Sequence, residues 1–516
     1  MAETKNTTIS GETVQTMGGS PDLSQGSVGL ESQLPGSATT VSQGAEATGG
    51  IGAGNLFASD IDEQLFRFNS DDTPLMNLML SAKHVRVDSP EVEHYQIDEP
   101  RASVKTNQAC GGGDDDAVAL PLANKDKRIP VEYGTLLVKG VNGYTEDGQT
   151  ETPGKDLMLF VTGRDASGMP IVRAVNGPKT RATDEVCKIP SIPANSTIVL
   201  LANALYETQK EVKPDMIIPQ PSLVYLQKRG MNQIVSDYFD SQKKRIPFSK
   251  AIIAEQAIAN FKVRCNRSLW AGRKGKFKVD TELGMQDVYF SEGVRWQFKR
   301  ELQHTGPWTV EKIIALAKMF FTGEDVPKTA ILLAGKNLLE KVQCIDYSNH
   351  PEIQITTKTT PVGWTVTNFH TVFGDIQIKR EPTLDRLGWS NSGALLGENR
   401  LVHYVRSEEH SFEERVEGHE ATRSGLLKWD ALALKGSCHI WIDGEGSATN
   451  AGAVRLIMWE SATAPTGNDL VDKAVYYLMK DCPGINANAM SGQTWQASVN
   501  GNTVTWSPFV GEYYAN

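Results

Sequence analysis

Polar and apolar positions follow two periods along this chain, one helical and one extended. The clearest helical pattern is SKAIIAEQAIANFKVRCNRSLW, residues 249–270. Ile258, Phe261, Cys265 and Leu269 recur there at steps of three or four, which places them on one face. Ser249 can cap the first turn, Pro247 discourages an earlier start, and Gly272 is a natural stop. Lys262, Arg264 and Arg267 lie off the stripe. At ~1.5 Å per residue this helix is roughly 30 Å long, about the width of a domain. Shorter helices are predicted from Ser59, with Ile61, Leu65 and Phe68 on one face, and from Thr73-Pro74, with Leu75, Met76, Met79 and Leu80 behind the proline. Thr309 caps a further one, whose buried side is Val310, Ile313, Ile314, Ala317, Phe320 and Phe321, and residues 335–342 form another.

The period of two governs much of the rest. Residues 84–88 and 91–98 alternate as a hairpin would. Residues 129–204 hold short strands at 135–138, 157–162, 171–175 and 197–201, separated by Asp147-Gly148, Ser167-Gly168 and Asn176-Gly177 turns. Such spacing predicts a small barrel or sandwich module, inserted at the tip of a longer extended excursion. Residues 223–239 return to extended structure, and 284–298 read as short and irregular. TAILLA at 329–334 is a continuously apolar, buried strand, and residues 352–359 and 365–379 alternate strongly. Strands follow over 400–442, the last at 432–442. The tail adds candidates at 455–459 and 474–479, then QASVNGNTVTW with its Asn500-Gly501 turn, and reads as an appended β module.

Composition narrows the class. The 516 residues are 40% hydrophobic and 22% charged, which is ordinary globular usage with room for roughly two to four domains. Residues 1–55, rich in Gly, Ser, Thr and Gln, are the exception and predict a flexible arm. Cys110, Cys187, Cys265, Cys344, Cys438 and Cys482 are scattered, so neither a zinc site nor a disulfide framework is expected. No signal peptide or membrane span is expected. The net charge of −10 argues against a general nucleic-acid binder, but the balance is uneven. Residues 241–300 carry 14 Lys and Arg against 5 Asp and Glu. That basic pole is either a solvated or subunit-contacting surface, or a face that meets phosphate; the candidate contacts are Lys262, Arg264, Arg267, Arg273, Lys274, Lys276 and Lys278.

Catalytic patterns are wanting. GGIGAG at 49–54 has no preceding strand, and the TAILLA turn lacks the glycine–lysine–hydroxyl pattern of a P-loop. CGGGDDD lacks the spaced ligands of a calcium loop. His403 and His410 among Glu408, Glu409, Glu413 and Glu414 form the densest polar cluster, but the spacing fits no ligand set and reads as a charged loop between strands. No catalytic residue, cofactor site or metal site is assigned, and the chain is read as a non-enzyme.

The order of parts, with SDIDEQLFRFNSDDTPLMNLMLSAKHVRVDSPEVEHYQIDEPR (59–101), GMPIVRAVNG (168–177) and ATRSGLLKWDALALKGSCHIWIDG (421–444), resembles major capsid proteins of tailed bacteriophages. Their fold is the Hong Kong 97-like one, and these stretches look like the branch in crAss-like phages of gut Bacteroidales. The resemblance spans most of 56–444. It implies an α+β fold with an N-terminal arm at 1–55, then N-terminal helices and the first part of an extended loop at 56–129. An inserted β module at 130–204 and the loop's return at 205–248 come next. The spine helix and peripheral region would occupy 249–300, an axial α/β domain 301–400, peripheral strands 401–444 and a C-terminal β extension 445–516. It further implies hexamers and pentamers closing an icosahedral shell around double-stranded DNA, with the basic pole on the inner face. Portal, scaffold and decoration proteins would be partners, assembly would take place in the host cytoplasm, and no membrane would be involved. Two other classes compete. A virion-surface or tail-associated β-rich binding protein would group aromatics on exposed strands. An enzyme would need a polar pocket, for which the 403–414 region is the sole candidate.

Overall fold

TAILLA has no polar position to turn toward water, and in the structure it lies inside an eleven-stranded sheet as Thr329–Ala334. The strand order is Gln354–Thr359, Thr365–His370, Asp375–Arg380, Thr329–Ala334, Gly393–Gly397, Ile440–Asp443, Arg300–Gln303, Val454–Trp459, Val475–Leu478, Thr494–Asn500 and Thr503–Pro508. Successive side chains leave a strand on opposite faces. Ala330, Leu332 and Ala334 therefore enter one core while Ile331 and Leu333 enter another. The same alternation separates Leu395 from Ala394 and Leu396, and Ile440 and Ile442 from Trp441. On the first face the helix Val310–Phe320 contributes Val310, Ile313, Leu316 and Phe320, with the Thr309 hydroxyl accepting from the Lys312 amide at 3.4 Å. On the second face the long helix, Lys250–Ala271, contributes Phe261, Cys265, Leu269 and Trp270. The short helix Pro74–Ser81 joins it with Leu75, Met76, Leu78 and Met79.

This computed structural model describes residues 73–96, 103–124, 126–209, 220–242, 249–321, 326–347, 354–359, 365–447, 449–501 and 503–509. The expected arm at 1–55, the glycine stretch at 49–54 and the helix from Ser59 lie outside the described residues. The chain divides into two units. The described part of the smaller comprises residues 237–242, with the helical turn Asp237–Ser241, and residues 249–253, where the Ser249 hydroxyl accepts from the Ile252 amide at 3.5 Å. Among the described residues the larger holds every sheet, and strands outnumber helices in an α+β arrangement. All six cysteines are free.

A second sheet, of six strands, forms a module with its own core. Its order is Ser103–Lys105, Thr197–Asn203, Gly134–Tyr144, Glu151–Arg164, Pro170–Ala174 and Val118–Ala119. Leu136, Val138, Leu157, Leu159, Val161 and Ile198 are buried in it. It also takes in Leu120 and Leu122, which lie upstream of the residue-130 boundary read from the sequence. CGGGDDD is a loop on its flank, where Asp116 pairs with Lys188 at 2.8 Å. The module rests on the chain's tail: the Thr197 hydroxyl donates to the Pro508 carbonyl at 2.6 Å, and Lys105 donates to Gln496.

Several expectations are corrected. Residues 84–88 and 91–96 do not pair with each other. Lys83–Arg86 runs parallel to Leu401–Arg415, and Glu91–Gln96 pairs with Gln220–Tyr225 as a two-stranded ribbon. Pro90, at the joint, has no N–H to offer a hairpin, and its carbonyl instead takes the Leu226 amide at 2.9 Å. The alternation over 365–379 crosses a turn at 371–374; there the Thr371 hydroxyl donates to the Gly374 carbonyl at 2.7 Å, and a Cβ on Gly374 would meet the Phe321 ring at 2.7 Å. The run 432–442 is likewise two strands, Ala421–Leu434 and Ile440–Asp443, in different sheets, joined through Gly436 at φ +80°. Of the apolar residues read behind Pro74, Leu75, Met76 and Met79 are buried and Leu80 is 62% exposed. The tail continues the large sheet, since Val454–Trp459 pairs in parallel with Arg300–Gln303.

Candidate nucleic-acid interface

Asn266 anchors the long helix from inside its apolar face. Asn266, fully buried, accepts from the Met76 amide at 2.9 Å and donates to Glu381 at 3.1 Å and to Thr383 at 2.7 Å. Glu381 accepts in turn from the Leu75 amide at 3.1 Å. The first turn of the Pro74–Ser81 helix leaves its amides without intrahelical partners, and the long helix and the 381–383 segment supply them. Burial pushes the Glu381 carboxyl upward, against the pull of its hydrogen bonds from Thr383 and Leu75. This fixes which side of the helix faces out. Arg264 and Arg267 are exposed and Lys262 is half-buried, and among the described residues none of the three has an ion-pair partner.

Beyond Gly272 the chain does not stay irregular, as read from the sequence. It forms a hairpin, Gly275–Thr281 with Gly284–Phe290. Gly284 at φ +90° closes the turn, and the Thr281 hydroxyl donates to its carbonyl at 2.7 Å. One face carries Lys276, Lys278, Asp287 and Tyr289; the other carries Phe277, Val279, Val288 and Phe290. Phe277 and Phe290 stack with centroids 5.1 Å apart, yet Phe277 is 55% exposed and Val279 37%. The alternation in GKFKVDT was the available signal for this hairpin.

The seven cations proposed from the sequence therefore separate. Arg273 lies 3.4 Å over the Trp296 ring. Lys274 donates to the Leu223 carbonyl of the two-stranded ribbon. Lys276 pairs with Glu91 of the same ribbon at 2.6 Å and with Asp287 at 3.4 Å. The Glu91 hydrogen bond, aided by those from Tyr289 and Asp287, holds the Lys276 ammonium above its ordinary range. Lys274 and Lys276 tie this segment to the ribbon, and Arg273 packs on Trp296 beside it. Arg264, Arg267 and Lys278 remain exposed, with Lys262 beside them on the helix. Side chains of this kind can meet phosphate oxygens without reading sequence.

A buried charge cluster, which no sequence motif marks, lies behind the helix. Asp430 sits between Arg229, which it contacts directly, and His403 and Lys428, each at 3.4 Å. Arg229 also donates to Ser291 at 2.7 Å and to Ser268 of the helix at 3.5 Å. Burial alone would raise the Asp430 carboxyl, but the His403 hydrogen bond and the Arg229 and Lys428 charges outweigh it and hold it well below the usual range. The structure thus parts His403 from His410. The expected charged loop is the single strand Leu401–Arg415, with His403 buried at one end and His410, Glu408, Glu409, Glu413 and Glu414 exposed along the other. Among the described residues no group of three or more His, Cys, Asp or Glu side chains is placed to hold a metal, and no helix is long and apolar enough to cross a membrane.

No protein-family model matches the chain, and no curated protein matches it. Solved structures do. The capsid of a native GTA particle is similar at 6% identity and a TM-score of 0.36, over 77% of this chain and 98% of that one. A Microbacterium phage Oxtober96 structure is similar at 8% identity and 0.34, over 76% and 97%. The holo-SrpI encapsulin complex from Synechococcus elongatus is similar at 10% identity and 0.32, over 45% and 80%.

Proposed function

We propose that this chain is the shell-forming subunit of a tailed-phage head: a Hong Kong 97-like major capsid protein of the crAss-like branch, non-enzymatic, that assembles around double-stranded DNA. The observation that carries this reading is the Gly275–Phe290 hairpin. Two strands alone are marginal in water, and these show Phe277, Val279, Leu283 and Met285 to solvent. A monomer gains nothing from that surface, whereas a subunit that meets copies of itself does. The resemblance of residues 59–101, 168–177 and 421–444 supplies the identity of the assembly and its partners. Electron microscopy of the purified full chain tests it: closed shells or large regular oligomers are expected, and a strictly monomeric species at all concentrations would overturn it.

On this reading packaged DNA meets the exposed cations. The sharpest variant is Arg264→Glu with Arg267→Glu. Changing Arg273, Lys274 and Lys276 would also break contacts that hold the hairpin in place. The helix double variant is expected to assemble empty shells normally while retaining less DNA, measured as the ratio of full to empty particles. An unchanged ratio would remove these two residues from the interface. The alternative, a β-rich surface protein that binds glycans, would call for Trp on an exposed face. The nine described tryptophans are all buried or half-buried, so no row of exposed Trp is offered to a glycan.

A further inference from the structure

We propose that the cleft beneath the two-stranded ribbon is a binding site for a tetrahedral oxyanion of the phosphate class, carrying two negative charges. The cleft has a volume of about 360 Å³ and is lined by His94 and Ser222 from the ribbon, by Glu292, Trp296 and Lys299, and by the strand end at Ala433 and Leu434. That volume admits a small anion with its water, at the lower end of what ligand sites enclose.

Charge and unmet hydrogen-bonding capacity both point to an anion. Lys299 lines the cleft and, among the described residues, has no ion-pair or side-chain hydrogen-bond partner. Lys435 stands behind His94: its ammonium donates to the Tyr404 hydroxyl at 2.9 Å, and the Tyr404 ring stacks on His94 with centroids 6.2 Å apart. Lys274, at the other side, spends one donor on the Leu223 carbonyl. Neither of these two lysines lines the cleft; both act on His94 through their charge. Buried His94 Nδ1 has no hydrogen-bond partner. Glu292 is the only carboxylate lining the cleft among the described residues, and burial pushes it toward its neutral form, against Lys274 and Arg273. Lys83 adds a further positive charge near Lys435.

Like charges crowd these groups. Burial, then the charges of Lys435, Lys274 and Lys299, drives His94 down to about 4. Burial and Lys83 drive Lys435 down to about 8. A dianion among these groups reverses both effects, and a single carboxylate would leave most of the positive charge uncompensated. This inference stands on the cleft alone and is independent of the capsid reading.

The test uses the purified full chain with sulfate, a dianion that does not titrate between pH 5 and 9. Sulfate also stabilises proteins by exclusion, so every arm is compared with Lys299→Gln and with chloride at equal ionic strength. Saturable calorimetric binding is expected, weakened about tenfold or more in Lys299→Gln and in His94→Gln. Heats measured at pH 6 in buffers of different ionisation enthalpy should show net proton uptake, because His94 is neutral before binding and charged after it. Affinity should fall as the pH rises from 6 to 9 and Lys435 loses its proton. Inorganic phosphate, and a trinucleotide with or without a 5′ phosphate, distinguish a free anion from a nucleic-acid end as the source. Equal response of wild type and Lys299→Gln, or binding without proton uptake, would overturn the proposal.

Discussion

Asp430→Asn is expected to cost about 3–5 kcal/mol of stability. The carboxylate is 2% exposed and is the shared counter-charge of Arg229 and Lys428, both buried. An amide of the same shape keeps the packing and leaves two cations in the interior with no anion. Urea unfolding followed by near-ultraviolet circular dichroism should show the midpoint fall at an unchanged slope. Adding Lys428→Met to Asp430→Asn should recover part of the loss, because one of the stranded charges goes with it. Acid provides an independent check. The Asp430 carboxyl sits lower in the folded chain than its unfolded value of about 3.9, so its contribution is fully present above that value. It is lost as the pH falls from there toward the folded value. Wild type should therefore weaken more steeply than the Asn variant below about pH 4. A loss under about 1 kcal/mol with identical acid profiles would mean that the cluster is solvated and structurally idle.

That cluster also marks where the sequence stops being legible. The long helix was readable because its stripe repeats locally and Ser249 and Gly272 punctuate it. TAILLA was readable because an all-apolar run has no other way to be buried. Arg229 lies 201 residues from Asp430 and His403 lies 27, and both reach it only through strand pairing, which no local period encodes. The false hairpin at 84–98 has the same origin: alternation identifies a strand but not its partner. Residues 365–379 and 432–442 were overextended because period two runs on through a tight turn when the turn residues happen to alternate.

The basic pole was visible as a charge count, but the count could not tell anchoring cations from free ones. Glu91 lies 185 residues from Lys276, and Trp296 reaches Arg273 only after the hairpin has folded back. The helix cations stay available because Asn266 and Phe261 turn the opposite side inward, and that side was predicted by the stripe.

The hairpin's apolar face carries the second large effect. Phe277→Asp with Val279→Asp should leave the subunit folded, since both side chains are exposed and the hairpin's polar face keeps its Glu91 and Asp287 contacts. Assembly should suffer heavily. Burying a Phe and a Val against another copy is worth about 1.5–3 kcal/mol each, and placing carboxylates there replaces the gain by a desolvation cost. A loss of about 3 kcal/mol per subunit raises the concentration needed for association by roughly a hundredfold. Sedimentation velocity across a dilution series should show shells for wild type and free subunits for the double variant at the same concentration, with matching melting curves for the dissociated chains. Lys278→Gln, on the opposite face of the same strand, should assemble as wild type does. If the double variant formed shells at the wild-type concentration, this face would not be the contact between copies, and the proposed shell would have to close through another surface.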